Sequence, residues 1–260
     1  MHHKPLRKFG QNFLTQPAIA EKIVAALQIS GNDHIIEIGP GKGVLSSIIV
    51  GKQPEAFSAI EIDRNLACEL EEKFSGKIKI IEQDFLDVNL STLITPNISL
   101  KIIGNIPYNI TSPILFKLID FYKRIDCSVL MIQKEVAKRI VARPGTKDYG
   151  ILAILLQTYC TAEYLFDVSN KNFFPVPKVD SAVIKFHFID ELRGINNLEL
   201  YKKIVRGTFN YRRKMIRNSL IRIFNQSIVT SLIEFDLTKR PEQLSIDDFK
   251  RLANRINNII

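Results

Sequence analysis

The chain has 260 residues, with 36 lysines and arginines against 27 aspartates and glutamates, a net charge of +9, and 46% hydrophobic residues. That apolar content builds a core of domain size rather than a disordered chain, and no apolar run approaches the roughly 20 residues a membrane-crossing helix needs. Three cysteines (Cys68, Cys127, Cys160) and four histidines (His2, His3, His34, His187) share no ligand spacing, so a disulfide framework, a structural zinc and a Ser-His-Asp nucleophile are not indicated and no metal is expected.

The chain begins with a basic leader, His2, His3, Lys4, Arg7 and Lys8, that runs into Gln11-Asn12-Phe13-Leu14. Ile19, Ile23, Val24 and Leu27 then recur every three to four residues, which predicts a helix packed on the domain, and Pro17 suits its first turn. The polar residues ahead of that helix could fold over a ligand, with Asn12 hydrogen bonding to it. The alternative is a disordered basic leader.

Four apolar runs follow, each ending in a polar or glycine-rich cluster. His34-Ile35-Ile36-Glu37-Ile38 runs into Gly39-Pro40-Gly41-Lys42-Gly43, Ala56-Phe57-Ser58-Ala59-Ile60 into Glu61-Ile62-Asp63, Ile78-Lys79-Ile80-Ile81 into Gln83-Asp84-Phe85, and residues 99–104 into Asn105. Glu37, Glu61, Asp84 and Asn105 are spaced 24, 23 and 21 positions apart, the length of one strand-helix-turn unit in a parallel α/β sheet. Helices are expected at Val44–Val50, Arg64–Phe74 and, shorter, near 90–94. Ligands of such sheets collect at the carboxyl ends of the strands, so the four clusters face one crevice.

The clusters suggest an occupant. Gly39, Gly41 and Gly43 permit a tight turn before a helix whose free N–H groups suit a carboxylate, spaced as G-x-G-x-G rather than the dinucleotide pattern. Glu61 is placed to accept from two ribose hydroxyls, and Asp84 from an adenine amino group, with Phe85 or Ile62 against the base. Together they describe S-adenosylmethionine lying across the strand ends. Taken singly, the same residues read as a turning loop, a solvated glutamate and a helix-capping aspartate.

Asn105-Ile106-Pro107-Tyr108 looks like the substrate clamp of enzymes that methylate an exocyclic amine. Such an amine is a poor nucleophile because its lone pair is delocalised, and acceptors aimed at its N–H bonds free that pair. Asn105 offers a side-chain carbonyl, Pro107 fixes the backbone so that a neighbouring carbonyl points outward, and Tyr108 stacks on the ring. Further on, the apolar stretch 150–156 reads as a core helix. Phe173-Phe174-Pro175-Val176-Pro177 is a stiff aromatic loop before a strand at Ser181–Phe188. Its Phe173 is expected as an exposed platform holding the base against Tyr108, and its Phe174 as buried.

Residues 191–260 hold 14 basic and 7 acidic residues, against 22 and 20 in residues 1–190. Helical patterns at 200–209, 215–224 and 246–256 predict a small all-α domain joined near 190–197, where Gly194 interrupts the patterns. Arg212-Arg213-Lys214, with Arg217 a turn later, suits phosphate backbones. A solvated helix face is the alternative.

Lys8-Phe9-Gly10-Gln11-Asn12-Phe13-Leu14, Glu37-Ile38-Gly39-Pro40-Gly41, Glu61-Ile62-Asp63, Gln83-Asp84, Gly104-Asn105-Ile106-Pro107-Tyr108-Asn109-Ile110, Gln133-Lys134-Glu135-Val136 and Phe173-Phe174-Pro175-Val176-Pro177-Lys178-Val179-Asp180-Ser181 stand in this order. As a set, from about Lys8 to Asn218, they resemble the ribosomal RNA adenine dimethyltransferases, and within that family the members that act on the small subunit. Ile106 departs from the Asn-Leu-Pro-Tyr of many relatives, at a position that supplies a backbone carbonyl.

The resemblance implies a Rossmann-like methyltransferase domain over 1–190 and an RNA-contacting helical domain over 191–260. It implies that Asn12, Leu14, Gly39, Glu61, Asp84 and Asn105 contact S-adenosylmethionine, that 105–108 and Phe173 hold the adenine, and that Arg212, Arg213, Lys214 and Arg217 touch RNA. The expected activity is dimethylation of N6 on two adjacent adenines near the 3′ end of 16S rRNA, in the small ribosomal subunit or its precursor, by a cytoplasmic monomer. Two alternatives share the motifs: a relative that dimethylates a large-subunit adenine and confers antibiotic resistance, and a non-catalytic RNA-binding assembly or transcription factor.

Overall fold

The computed structural model describes residues 5–6, 9–93 and 98–260; the basic leader residues 2–4, 7 and 8, and the end of the expected short helix at 94, lie outside them. The chain divides into two compact units, one of Met1–Ala137 with Cys160–Asp190 and the other of Lys138–Tyr159 with Glu191–Ile260.

In the first unit, β1 (Phe13–Leu14) precedes α1 (Pro17–Leu27), which starts on Pro17, where a missing N–H costs nothing, and ends at Gln28 in a left-handed cap. Three strand-helix pairs follow: β2 (Asp33–Ile38) with α2 (Val44–Val50), β3 (Ala56–Glu61) with α3 (Arg64–Phe74), then β4 (Lys79–Glu82) with only a 3-10 turn at Leu90–Thr92. Next come β5 (Ser99–Asn105), α4 (Thr111–Asp120) and β6 (Ile125–Gln133), then β7 (Cys160–Val168), β8 (Phe173–Phe174) and β9 (Ser181–Phe188). All six residues of β2 are buried, as a central parallel strand covered on both faces requires.

The large sheet runs β4-β3-β2-β5-β6-β9-β7, parallel from β4 to β6 and antiparallel through β9 and β7. One core layer brings Ile23, Val24 and Leu27 of α1, Leu45 and Ile49 of α2 and Leu70 and Phe74 of α3 together with Ile35, Ile103 and Val129. The expected periodicity of the sheet, the helices at Val44–Val50 and Arg64–Phe74 and the strand at Ser181–Phe188 are all found.

The second unit is helical. It takes up the end of α5 (Lys134–Ile140) and contains α6 (Ile151–Tyr159), α7 (Leu198–Phe209), α8 (Ile216–Ile223), α9 (Gln226–Thr230) and α10 (Ile246–Asn257). The sequence boundary at 190 misplaces Lys138–Tyr159, which belongs here. The reason is packing that no local signal announces. α6 contacts α7 and α10, Thr158 hydrogen bonds Tyr201 at 2.8 Å, Tyr149 is fully buried, and the Gly145 N–H donates to the Glu242 carbonyl at 2.7 Å.

Where β5 passes β2, Gly104 lies opposite Ile38, and a Cβ added there would sit 2.7 Å from the Ile38 carbonyl oxygen. No rotamer change relieves a clash with backbone. Gly104→Ala is therefore expected to cost about 1–3 kcal/mol, as overpacked cores do, measured as a lowered denaturant midpoint; an unchanged midpoint would show that the β2-β5 spacing can widen.

Candidate active site

β2 leads outward to β3 and β4 on one side, and β5 to β6 on the other. The connections diverge between β2 and β5, and a crevice opens at their carboxyl ends. It is lined by Asn12 and Leu14, by Glu37, Gly39 and Gly41, by Glu61, and by Asn105, Ile106, Pro107 and Tyr108. Nine of the residues singled out from the sequence thus meet in one cleft.

The glycine turn after β2 requires positive φ at Gly39 and Gly41, 63° and 58°. A Cβ at Gly39 would project into open space, and one at Gly41 would meet the Phe13 ring at 3.0 Å, so the turn is a cradle that side chains would fill. The Gly41 N–H belongs to the turn, ahead of the helix whose N–H groups are expected to suit a carboxylate, and it is taken within the protein. It donates to Glu61 Oε2 at 3.0 Å, while the Asp63 N–H donates to Oε1 at 3.0 Å. Burial pushes the Glu61 pKa up and these two backbone donors oppose that; they fix the side chain at the end of β3 and leave each oxygen with further acceptor capacity.

Across the cleft, Asn105 ends β5. Its Nδ2 donates to the Asn12 carbonyl at 2.8 Å. A backbone carbonyl can only accept, so the amide half of the carboxamide faces the N-terminal strap and Oδ1 faces the other way. Ile106 is buried and its N–H donates to the Met131 carbonyl at 2.9 Å, while its own carbonyl accepts no hydrogen bond from the described residues. Tyr108 is half-buried, its hydroxyl 2.8 Å from Ser181 Oγ, and burial raises its pKa, which keeps it a neutral phenol.

The strap that anchors Asn105 is itself fastened. β1 pairs antiparallel with β8, Leu14 opposite Phe173, and Gln11 Nε2 donates to Asp63 Oδ2 at 3.0 Å, the carboxylate that caps α3 through its other oxygen.

Three of the expected donor-binding residues stand outside the cleft lining. Asp84 accepts from the Leu86 N–H at 2.8 Å through Oδ1, which leaves Oδ2, and Ile62 is 41% exposed. Phe85 is not available to stack: it is buried, with the Lys117 ammonium 5.2 Å over its ring. Lys117 of α4 donates to the carbonyls of Phe85, Leu86 and Val88 at 2.6–2.7 Å and so fixes the Asp84 turn, a role that nothing in the local sequence around Lys117 signals.

The aromatic pair is the reverse of the expectation. Phe173 is 2% exposed and part of the core, whereas Phe174 is 58% exposed. Neighbouring strand residues point to opposite faces, and pairing with Leu14 turns Phe173 inward. Arg212 also departs from its expected RNA contact. Its Nε binds Glu242 at 2.6 Å and its Nη2 the Lys147 carbonyl at 2.5 Å, so it fastens a turn within the second unit. Arg213, Lys214 and Arg217 are exposed. Among the described residues, no His, Cys, Asp and Glu side chains converge as a metal-ligand set, and no helix is long and apolar enough to cross a membrane.

The sequence profile described as ribosomal RNA adenine dimethylase matches residues 2–258. A ribosomal RNA small subunit methyltransferase A of Chlorobium phaeobacteroides is 44% identical over 96% of this chain and 93% of its own, and one of Vibrio vulnificus is 38% identical over 98% and 95%. Among solved structures, a dimethyladenosine transferase from Plasmodium falciparum superposes with a TM-score of 0.83 at 26% identity, covering 95% of this chain and 98% of its own. The 23S rRNA methyltransferase ErmE gives 0.72 at 26% identity, covering 95% and 100%.

Glu37, on the cleft floor, was not singled out as a site residue. It is fully buried, accepts from Ser46 Oγ at 2.6 Å and lies near Glu61, and desolvation pushes its carboxyl up to about 8. The folded protein thus holds a proton there up to about pH 8 that the unfolded chain releases near 4.5, so stability from this group falls as pH rises between those values. Glu37→Gln keeps an acceptor for Ser46 and removes the titration. At pH 8 it is expected to melt at least about 2–4 °C above the parent, the shift that 1 kcal/mol gives a chain of this size, and to match it at pH 4. A gap that does not depend on pH would contradict the buried proton.

Proposed function

Because the chain belongs to the ribosomal RNA adenine dimethylase family, we propose that it transfers methyl groups from S-adenosylmethionine to N6 of two adjacent adenines near the 3′ end of 16S rRNA, twice on each, in the small ribosomal subunit or its precursor. The observation that carries this reading is the Asn105 carboxamide, tethered through its nitrogen to Asn12 with its oxygen turned away. When bound, the donor supplies an electrophilic methyl on a sulfonium.

The protein's part is binding and aim. The glycine turn and the Asn12–Leu14 strap take the methionine end, Glu61 the ribose hydroxyls and Asp84 Oδ2 the donor's adenine, whose contact falls to Ile62 rather than Phe85. Asn105 Oδ1 accepts from one N6–H of the target, the unclaimed Ile106 carbonyl from the other, and Tyr108, braced by Ser181, stacks on the ring. The N6 lone pair is then turned out of conjugation towards the methyl. No side chain acts as base: the amine attacks neutral and loses its proton afterwards, and Tyr108 stays protonated. Rate comes from proximity and orientation. The basic second unit, through Arg213, Lys214 and Arg217, holds the RNA, and the protein works as a cytoplasmic monomer.

Small-subunit rather than large-subunit RNA is favoured by the relatives at 38–44% identity, whose names specify the small subunit, against 26% for the 23S enzyme. Labelled methyl groups should enter unmodified small subunits and not large ones; incorporation into large subunits alone would overturn the assignment. Asn105→Ala should retain RNA affinity and lose about 100-fold or more in turnover, the size expected of lost alignment, and a normal rate would remove Asn105 from its role. Neutralising Arg213, Lys214 and Arg217 together should flatten the dependence of log affinity on log salt by about 2. An unchanged slope would return them to solvated surface.

A further inference from the structure

A groove of about 430 Å³ lies on the second unit, lined by Tyr211, Lys214, Asn218, Ile221 and Arg222. The fold builds it with some care. Arg212, fastened to Glu242 and to the carbonyls of Thr146 and Lys147, pins the turn that follows α7, and that turn presents Tyr211 outward at 39% exposure. α8 buries Ile216, Ser219 and Leu220, which leaves Asn218, with Ile221 and Arg222 three and four residues further on, on its open face. The Arg222 guanidinium lies 4.6 Å over the Tyr211 ring, so the two form a stacked cation–aromatic pair on which a further flat group can stack.

The charge is one-sided. Lys214 and Arg222 in the groove, and Arg213 and Arg217 beside it, have no carboxylate within 4.0 Å among the described residues, and no acidic side chain lines the groove. Cations alone would suit any phosphate backbone. An aromatic ring, an isoleucine floor and a carboxamide beside them suit something with a flat apolar face, a polar edge and a negative charge. Those are the three parts of one unstacked nucleotide, and the volume falls in the roughly 300–1,000 Å³ of small-ligand sites.

We infer that this groove is a second nucleotide subsite, separate from the adenine cleft, that takes one unpaired base of the RNA on the Tyr211–Arg222 stack, with its edge on Asn218 and its phosphate on Lys214. This rests on the reading of RNA as the substrate and adds to it a preference for a single-stranded or bulged element.

The test uses the full chain carrying Tyr108→Ala, so that stacking in the adenine cleft does not contribute, and an eight-nucleotide single-stranded RNA with a central 2-aminopurine. Binding should quench its fluorescence. Tyr211→Ala and Arg222→Ala should each weaken binding about 5-fold or more, as loss of a stacking partner does, while Tyr211→Phe binds as the parent does and a blunt RNA duplex is indifferent to all three. Equal affinity for Tyr211→Ala, or equal loss on the duplex, overturns the subsite. So does a Tyr211→Ala defect seen with whole small subunits but not with the oligomer, which would assign the groove to a protein contact. Methyl transfer to small subunits by the unaltered enzyme is assayed in parallel. Its absence overturns the proposed reaction, whereas intact transfer with an indifferent Tyr211→Ala overturns the subsite alone.

Discussion

The hydrogen bond from Asn105 Nδ2 to the Asn12 carbonyl decides which way the Asn105 carboxamide faces, and several parts of the first unit hold its two ends in place. Asn105 is held at the end of β5 by its register with Met131, and Gly104 lets β5 lie against Ile38 closely enough to bring it there. Asn12 is held by the strap, which is pinned on one side by β1-β8 pairing and on the other by Gln11 on Asp63. Asp63 in turn caps α3 and donates its N–H to Glu61. The groups that orient the acceptor and those proposed to bind the donor therefore share one network. Orientation of this kind is worth more to an enzyme than an additional charged group, because it costs no reorganisation during the reaction.

Much of this arrangement was legible in the chain. The spacing of Glu37, Glu61, Asp84 and Asn105 reports strand-helix units of nearly constant length, and such regularity survives folding because a parallel sheet admits few connections. Val44–Val50 and Arg64–Phe74 were readable as helices because local signals and tertiary burial agree there. What sequence could not reveal is mostly pairing at long range. Phe173 and Phe174 are equivalent on paper, and only the register with Leu14 and Phe13 decides which ring turns inward. Lys138–Tyr159 reads as a continuation of the first domain until Thr158 is seen to meet Tyr201.

Charged residues were the hardest to place. Arg212, Arg213 and Lys214 are adjacent in one basic run, yet Arg212 fastens a turn through Glu242, 30 residues away, while its neighbours stay open to solvent. Lys117 looks like an ordinary helix lysine and instead ties down three carbonyls behind Asp84. Glu37 stands in a motif whose glycines draw the eye, but burial makes it a neutral acid on the floor of the cleft. In each case the role follows from desolvation and from which acceptors happen to lie within reach, and neither is written in a local pattern.

The most direct test is a crystal structure of the protein with the demethylated donor product and an adenosine nucleotide bound together. The account predicts Asn105 Nδ2 still on the Asn12 carbonyl, Oδ1 within about 3 Å of adenine N6, and the sulfur on the far side of that nitrogen's lone pair. A carboxamide turned with its nitrogen towards the adenine, or a donor lodged away from the β2-β5 crevice, would contradict it.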